Sequence, residues 1–149
     1  MEIIAIKGQP KENSGKQAAK HIRHAGLVPA VLYKSGGGGA MQFSMDPAEF
    51  RHLVFTPKFK LAEIELNGTK HKCIVKDIQF HPATDAVLHM DFLELVPGVP
   101  FKVAVPLRFS GTAPGVKAGG KFITTLRKIN VLTTPDKVVD EVVADISNM

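Results

Sequence analysis

The dipeptide Asn67-Gly68 separates two β-prone segments, 61–66 and 70–80. Both central residues of a type I′ turn have a positive φ, which asparagine and glycine adopt at little cost, so this pair is a strong signal for a β-hairpin. The pair also begins an Asn-Gly-Thr glycosylation sequence, but without a secretory signal we interpret it only as a turn. The sequence therefore predicts two antiparallel strands in the middle of the chain.

Shorter β-prone segments flank the predicted hairpin. Strands are predicted at 2–7, 28–33, 40–45 and 86–95. In the last of these, Leu88, Met90 and Phe92 lie on one face. His89 and Asp91 lie on the opposite face. Glycine, proline and polar residues predict loops at 8–17 and at 34–39, which contains four consecutive Gly.

The first of two predicted helices carries a row of cations. It begins at Ser14 or Gly15 and ends before Gly26, because glycine is a natural residue just after a helix C-terminus. Helical spacing places three basic residues on one face of it, namely Lys16, Lys20 and Arg23. This helix is therefore predicted to have a cationic edge beside a small apolar one.

The second predicted helix has a well-marked N-terminus. Asp46 would cap it, Pro47 would occupy its first position, and Glu49 completes the spacing of a capping box. The helix is predicted to run to about Phe55.

A boundary is predicted at 96–100, where two prolines and a glycine occur in five residues. We divide the chain there into an α+β domain at 1–96 and an all-β segment at 97–149. Five or six strands with two short helices predict a small closed or nearly closed β-barrel in the first part. The second part, with strands in FKVAVPLRFSG, FITTLRKINVLTT and VVDEVVADIS and no helix, is small for an independent core and is expected to be an incomplete all-β domain.

Positive charge is concentrated near the start of the chain. The whole chain has a formal net charge of +5. Residues 1–34 contain six Lys or Arg against two Glu, whereas residues 35–95 contain six against eight acids. A local basic segment is the electrostatic footprint of a nucleic-acid-binding protein, although a solvated basic face without a partner has the same composition.

The segment Gly115–Lys121 matches the spacing of a phosphate-binding loop, G-x-x-x-x-G-K. Such a loop requires Ser or Thr at the next position and a helix after it. Phe122 occupies that position, and the residues after it are β-prone. We interpret the segment as a flexible loop with a surface lysine and predict no nucleotide cofactor.

Several side chains could in principle form a metal site or a Cys–His nucleophile pair. They are His71, Cys73, His81, His89 and Asp91. Zinc sites typically contain closely spaced ligand pairs such as C-x-x-C, which this chain lacks. We predict no metal, no catalytic residue and a buried, inert Cys73.

The single cysteine excludes a disulfide within the chain and fits a reducing compartment. The N-terminal apolar run is too short for a signal peptide, and no segment approaches the length of a membrane span. The sequence therefore predicts a cytoplasmic protein without a membrane association.

Two separated segments resemble one protein family. They are GKQAAKHIRHAGLVPAVLY (15–33) and KDIQFHPATDAVLHMDFLEL (76–95). Both resemble signatures of bacterial large-subunit ribosomal protein twenty-five in its longer form, the general stress protein Ctc. VPLRFSGTAPGVKAGGKF (105–122) and VVADIS (142–147) resemble that family's second, all-β domain. The resemblance covers the whole chain, although members of the long form continue for several strands past the last motif.

The resemblance implies that the protein binds 5S ribosomal RNA as a ribosome component and is not an enzyme. In the family, a six-stranded barrel contacts a widened minor groove in the internal-loop region of a 5S arm. Double-stranded RNA is read mainly through groove shape, phosphates and 2′-hydroxyls, which calls for cations and a few polar groups. The free protein is expected to be a monomer, and 97–149 could contact neighbouring 23S rRNA or ribosomal proteins.

Eight residues match the family's RNA-contacting positions. They are Lys11, Lys16, Lys20, Arg23, Tyr33, Lys76, His89 and Asp91. The resemblance implies that the first four hold phosphate and ribose, that Tyr33 stacks or donates its hydroxyl, and that the others reach into the groove. Lys11 and Lys20 stand where Arg is frequent, which keeps the charge but loses the bidentate fork. The Gly36–Gly39 run is peculiar to this chain.

Two other functions remain open from the sequence. A tRNA anticodon-binding module is one, because the glutaminyl-tRNA synthetase uses a related barrel, but the chain has no synthetase catalytic domain. A small nucleotide-using hydrolase built on the His89–Asp91 pair and the Gly115–Lys121 loop is the other, and stabilisation by ATP with magnesium would reveal it.

Overall fold

The computed structural model describes residues 2–12, 15–56 and 58–149. The strands in these ranges are β1 (Ile3–Pro10), β2 (Val28–Lys34), β3 (Ala40–Met45), β4 (Leu61–Leu66), β5 (Thr69–Phe80), β6 (Val87–Glu94), β7 (Phe101–Ser110), β8 (Lys128–Thr133) and β9 (Val142–Asp145). The helices are α1 (Lys16–His24), α2 (Pro47–Val54) and α3 (Pro114–Lys117), and Pro135–Lys137 form a 3-10 turn.

The first six strands close into a barrel in the order β1-β3-β2-β6-β5-β4, which returns to β1. The pairs β1–β4 and β2–β6 are parallel, and the other neighbours are antiparallel. Asn67 and Gly68 have φ values of 51° and 77° and connect β4 to β5, which confirms the predicted hairpin. The predicted six-stranded barrel with accompanying short helices is confirmed as well.

Side chains fill the interior of the barrel, as expected for so few strands. Alternate residues of each strand point inward, and the rings of Phe43 and Phe92 meet with centroids 5.9 Å apart. The most deeply buried members are Ile6, Ala30, Leu32, Phe43, Met45, Phe50, Ala62, Ile64, Cys73, Met90 and Phe92. The core therefore contains Met90 and Phe92 of the face predicted for β6. Leu88 was predicted on the same face but is not part of this core, and Val87 packs against it instead, because the pairing of β5 with β6 shifts near this end of the strand.

The structure extends β1 into the predicted 8–17 loop, so that prediction is wrong for the first three residues. Gly8 pairs with Met45 of β3, whereas Lys7 still pairs with Glu65 of β4. A Cβ atom at Gly8 would lie 2.5 Å from Leu66 and 2.7 Å from Phe43. Glycine is therefore needed where β1 passes from one neighbouring strand to the other against the core.

Helix α1 begins at Lys16 with Gly15 as its N-cap, and the alternative start at Ser14 lies outside the described residues. Gly26 has a φ of 78° directly after the C-cap, as predicted. The same region contains a small correction, because Lys34, predicted to be in a loop, is the last residue of β2 and donates its N–H to the Gly39 carbonyl.

Helix α2 has the predicted cap but not the predicted capping box. The Asp46 carboxylate accepts a hydrogen bond from the Ala48 N–H at 2.9 Å. The Glu49 carboxylate does not return to the N-cap, and accepts the N–H of Lys7 in β1 at 2.6 Å instead. Glu49 therefore connects the helix to the barrel.

The last three strands form a sheet in the order β8-β7-β9, with β7 antiparallel to β8 and parallel to β9. The prediction of no helix after residue 96 is wrong, because α3 is a single helical turn that begins at Pro114. Residues 122–127, predicted as strand, precede β8 without joining it. Phe122, Ile123 and Leu126 make this segment β-prone, but they are exposed in the structure, so the local pattern alone misassigned it.

An apolar cluster joins this sheet to the outside of the barrel. Ile74 of β5 is buried against Phe101, Val103 and Val105 of β7. Residues 95–100 connect β6 to β7, where the sequence places the domain boundary. We propose two domains, 1–96 and 97–149, which share a buried apolar surface.

Candidate nucleic-acid interface

The basic face of α1 forms one continuous surface. Ile22 is buried against the barrel, and the opposite side of the helix borders an open groove of about 370 Å³. That groove is lined by Lys16, Lys20, Arg23 and His24. The sequence interpretation overlooked His24, although its spacing of eight residues from Lys16 places it on the same face of a helix.

Arg23 also fastens α1 to the barrel. Its Nε and Nη2 atoms both donate hydrogen bonds to the carbonyl oxygen of Leu88, at 3.1 and 3.0 Å. Leu88 directly precedes His89 on β6, so this contact sets the position of the cationic helix relative to the predicted groove-reading strand. Arg23 therefore positions the interface as well as contributing charge to it.

Lys11 and His89 line a second cavity, of about 210 Å³, between α1 and the outer surface of the barrel. The N–H of Lys11 donates to the Gln42 carbonyl at 2.9 Å, which holds the segment after β1 beside β3. Ala18 and Ala19 of α1 line the same cavity. These small side chains allow the helix to lie close to β2, and the cavity brings Lys11, the helix and His89 together.

His89 and Asp91 lie on the outer face of β6, as predicted. Nδ1 of His89 is 3.1 Å from Oδ1 of Asp91, and each side chain is 26% exposed. The two atoms are close, but their geometry is not that of a hydrogen bond. Oδ1 of Asp91 is buried without a hydrogen-bond partner among the described residues. A buried acceptor of this kind is costly unless a donor reaches it.

Tyr33 and Lys76 lie on the two strands that flank β6. Nζ of Lys76 is 5.8 Å from the centre of the Tyr33 ring, within the range of a cation–π contact. The pairing of β5 with β6 shifts between Val75 and Asp77, which leaves Lys76 as an extra residue that turns outward. Tyr33 is 38% exposed, so its ring remains available to a ligand.

The structure thus brings the predicted residues to one side of the molecule. Helix α1 supplies three of the cations, the segment after β1 supplies Lys11, and β2, β5 and β6 supply the remaining four residues. The strand residues of this set are neighbours, because β2 and β5 lie on either side of β6. Val31 of β2 and Asp77 of β5 both pair with Asp91. We call this set of eight residues the α1–β6 surface.

The described residues do not form the alternative sites that the sequence suggested. No group of three metal-binding side chains occurs within 2–12, 15–56 and 58–149. Nδ1 of His71 contacts Glu94 at 2.6 Å, and burial raises the pKa of the Cys73 thiol well above its usual range. The helical turn α3 begins at Pro114 and overlaps the start of the Gly115–Lys121 motif, rather than following it.

Within the part of the chain that the structure describes, no helix has the length and apolar character needed to cross a bilayer.

Comparisons with known proteins agree with this architecture. A family model described as the ribosomal L25p family matches residues 6–92, and one described as the C-terminal domain of ribosomal protein TL5 matches 100–149. Proteins named large ribosomal subunit protein bL25 are similar over the whole chain. The one from Christiangramia forsetii is 39% identical with 68% of its length covered, and that from Porphyromonas gingivalis is 37% identical with 78% covered. The chain belongs to the ribosomal L25p family.

Proposed function

We propose that this protein, a structural constituent of the large ribosomal subunit, binds 5S ribosomal RNA through the α1–β6 surface. Membership of the family gives the protein a ribosomal role, which is structural rather than enzymatic. A ribosomal protein also has the cytoplasmic location that the sequence predicts. The observation that carries the proposal is that the eight residues matched to the family's RNA-contacting positions lie together on one face.

The two halves of the surface suit different parts of an RNA helix. Lys11, Lys16 and Lys20 are exposed point charges that can follow the phosphate backbone. His89 and Asp91 are half-buried polar groups on a rigid strand and can enter a widened minor groove. The carboxylate of Asp91, whose side chain is 26% exposed, would accept a hydrogen bond from a base amino group or a 2′-hydroxyl.

Filter binding to 5S rRNA at a series of salt concentrations tests the proposal. Cations that neutralise phosphates release counterions, so four or five contacts give a log–log slope of roughly −4. Unlabelled tRNA is the competitor that separates the two RNA classes. Binding that is absent, independent of salt, or displaced equally well by tRNA would show that the proposal is wrong.

The variants His89→Ala and Asp91→Asn test the groove contacts separately from the phosphate contacts. Each should weaken 5S rRNA binding while leaving the salt slope nearly unchanged, because neither removes a cation from the backbone contacts. Lys16→Ala is the matched comparison and should lower the magnitude of the slope by about one unit. Equal slopes in all three variants would contradict the division into backbone and groove contacts.

A further inference from the structure

A second basic cavity lies between the barrel and the β8-β7-β9 sheet. Its volume is about 400 Å³, and five lysines line it. Lys58, Lys60 and Lys76 belong to the barrel side, and Lys102 and Lys128 belong to the sheet. Apart from Lys76, which is at the border, none of these residues belongs to the α1–β6 surface.

The charge of this cavity is poorly compensated by the protein. Lys60 pairs with Glu2 at 2.8 Å. The one acidic residue of the lining, among the described residues, is Asp77, and its carboxylate accepts the N–H of Ile78 at 2.9 Å. The remaining lysines have no ion pair within 4 Å in the described ranges. Like charges repel when they are gathered in one cleft, so the arrangement favours an anionic ligand.

Apolar side chains lie among the lysines of the lining and include the aromatic rings of Phe59 and Phe80. Ile74, Val103 and Pro106 contribute to the lining, and Phe80 at its rim is 45% exposed. A cationic groove with an accessible aromatic side chain is the combination that binds single-stranded nucleic acid, because phosphates follow the cations while a base stacks on the ring. An acidic peptide would use the charge but would have no need for the ring.

We propose that this cavity is a second RNA-binding site, which holds an unpaired RNA strand by its phosphates on Lys58, Lys102 and Lys128, with a base stacked on Phe80. The site goes beyond the proposed 5S rRNA contact, since it uses a different surface and single-stranded rather than helical RNA. The protein would thereby contact two RNA segments at once.

Fluorescence anisotropy with the full chain tests this site, using a labelled single-stranded RNA of mixed sequence about ten nucleotides long. The triple variant Lys58→Ala/Lys102→Ala/Lys128→Ala should bind the strand at least about tenfold more weakly, with a salt slope smaller by about 2. Its affinity for 5S rRNA should not change. Conversely, Lys16→Ala/Lys20→Ala should weaken 5S rRNA binding and leave the strand bound, so the two proposals can fail separately.

The matched control is Lys117→Ala/Lys121→Ala/Lys137→Ala, which removes the same charge from exposed lysines outside the cavity. It should keep strand affinity within about twofold of the unchanged protein. Equal losses in both triple variants would overturn the site, because general charge would then explain the binding. If the first triple variant unfolds, Lys102→Glu and Lys128→Glu singly carry the same expectation.

Two further outcomes bear on the nature of the ligand. Phe80→Ala should weaken strand binding without changing the salt slope, and an unchanged affinity would overturn the stacking contact. Polyglutamate of equal charge should compete poorly. If it displaced the RNA at lower concentrations than unlabelled RNA does, the cavity would be a site for an acidic protein segment and the RNA assignment would be overturned.

Discussion

Arg23 shows how one residue can combine two roles that a sequence cannot separate. Its position on a cationic helix face predicts a phosphate contact. The structure adds a two-donor hydrogen bond to the carbonyl of Leu88, which fixes α1 beside β6. A partner 65 residues away is not visible in any local pattern. The charge was therefore predictable from sequence, and the positioning role was not.

Arg23→Ala should lower both the stability and the RNA affinity of the protein. Loss of the contact to Leu88 should reduce the free energy of unfolding by about 1 kcal/mol, as measured by urea denaturation. Arg23→Lys keeps the charge but cannot form the same fork, so it should retain most of the salt slope while losing part of the stability. A variant Lys16→Ala with the same loss of stability would contradict this assignment, because Lys16 makes no such anchor.

Gly8→Ala should destabilise the barrel by about 1–3 kcal/mol, because the new methyl group would press on Leu66 and Phe43 in a filled core. Gly115→Ala is the control, since its Cβ would meet nothing within 4 Å and its backbone requires no positive φ. Thermal unfolding of both variants checks the difference. Similar unfolding temperatures for the two variants would mean that the core rearranges around a methyl group at Gly8 at little energetic cost.

Cys73 should not react with thiol reagents at neutral pH while the protein is folded. Burial raises the pKa of its thiol, so the nucleophilic thiolate is scarce below and around neutral pH in the native state. In urea the pKa returns to its ordinary value and the reaction should proceed as pH rises towards it. A colorimetric thiol assay with and without denaturant measures this, and rapid labelling of the native protein would contradict the burial.

At the scale of elements, the sequence predicted what local pattern encodes. The alternation in β6, the Asn67-Gly68 turn and the Asp46 cap each depend on neighbouring residues. The extension of β1 to Pro10 depends instead on pairing with Phe43, and Glu49 finds its partner in Lys7 on another strand. Such non-local contacts explain the errors in the first part of the chain. After residue 110, the apolar residues Phe122, Ile123 and Leu126 predicted a strand, but no sheet covers them and they remain exposed.

Asp46 and Glu49 should have separable effects on α2. Asp46→Ala removes the N-cap and should cost about 1 kcal/mol of stability. Glu49→Ala removes the acceptor of the Lys7 N–H and should cost a similar amount, about 1 kcal/mol. Amide hydrogen exchange distinguishes them, because the Ala48 amide should exchange faster only in the first variant and the Lys7 amide only in the second. Faster exchange of the Asp46 amide in Glu49→Ala would restore the capping-box interpretation, because in that motif the N3 carboxylate accepts the N–H of the N-cap residue.

At the scale of the whole molecule, the barrel and the second sheet depend on one another. Phe101 and Val105 bury their side chains on Ile74, which lies on the outer face of β5. The sequence did predict an all-β segment too small to form a core alone, but it could not show where that segment packs. The cavity lined by five lysines exists only because the two parts meet.

Phe101→Ala should therefore destabilise more than its own sheet. Truncation of a buried phenylalanine costs about 3–5 kcal/mol, and the loss should appear in the unfolding of the barrel as well. Near-ultraviolet circular dichroism, which follows Tyr33 in β2, reports on the barrel during the transition. Leu132→Ala is the control, because this β8 side chain is 66% exposed. An unchanged barrel transition would favour two independently folding domains.

The parallel pairing of β2 with β6 has a consequence for the time at which the protein can recognise RNA. Ala30 pairs with Met90, so the strand that carries His89 and Asp91 enters the barrel only after most of the first domain has been made. A chain emerging from a translating ribosome presents the lysines of α1 much earlier than this strand. Non-local pairing of this kind folds slowly. A nascent chain that stops before β6 would thus attract nucleic acid by charge alone, and selectivity would arise only when the barrel closes.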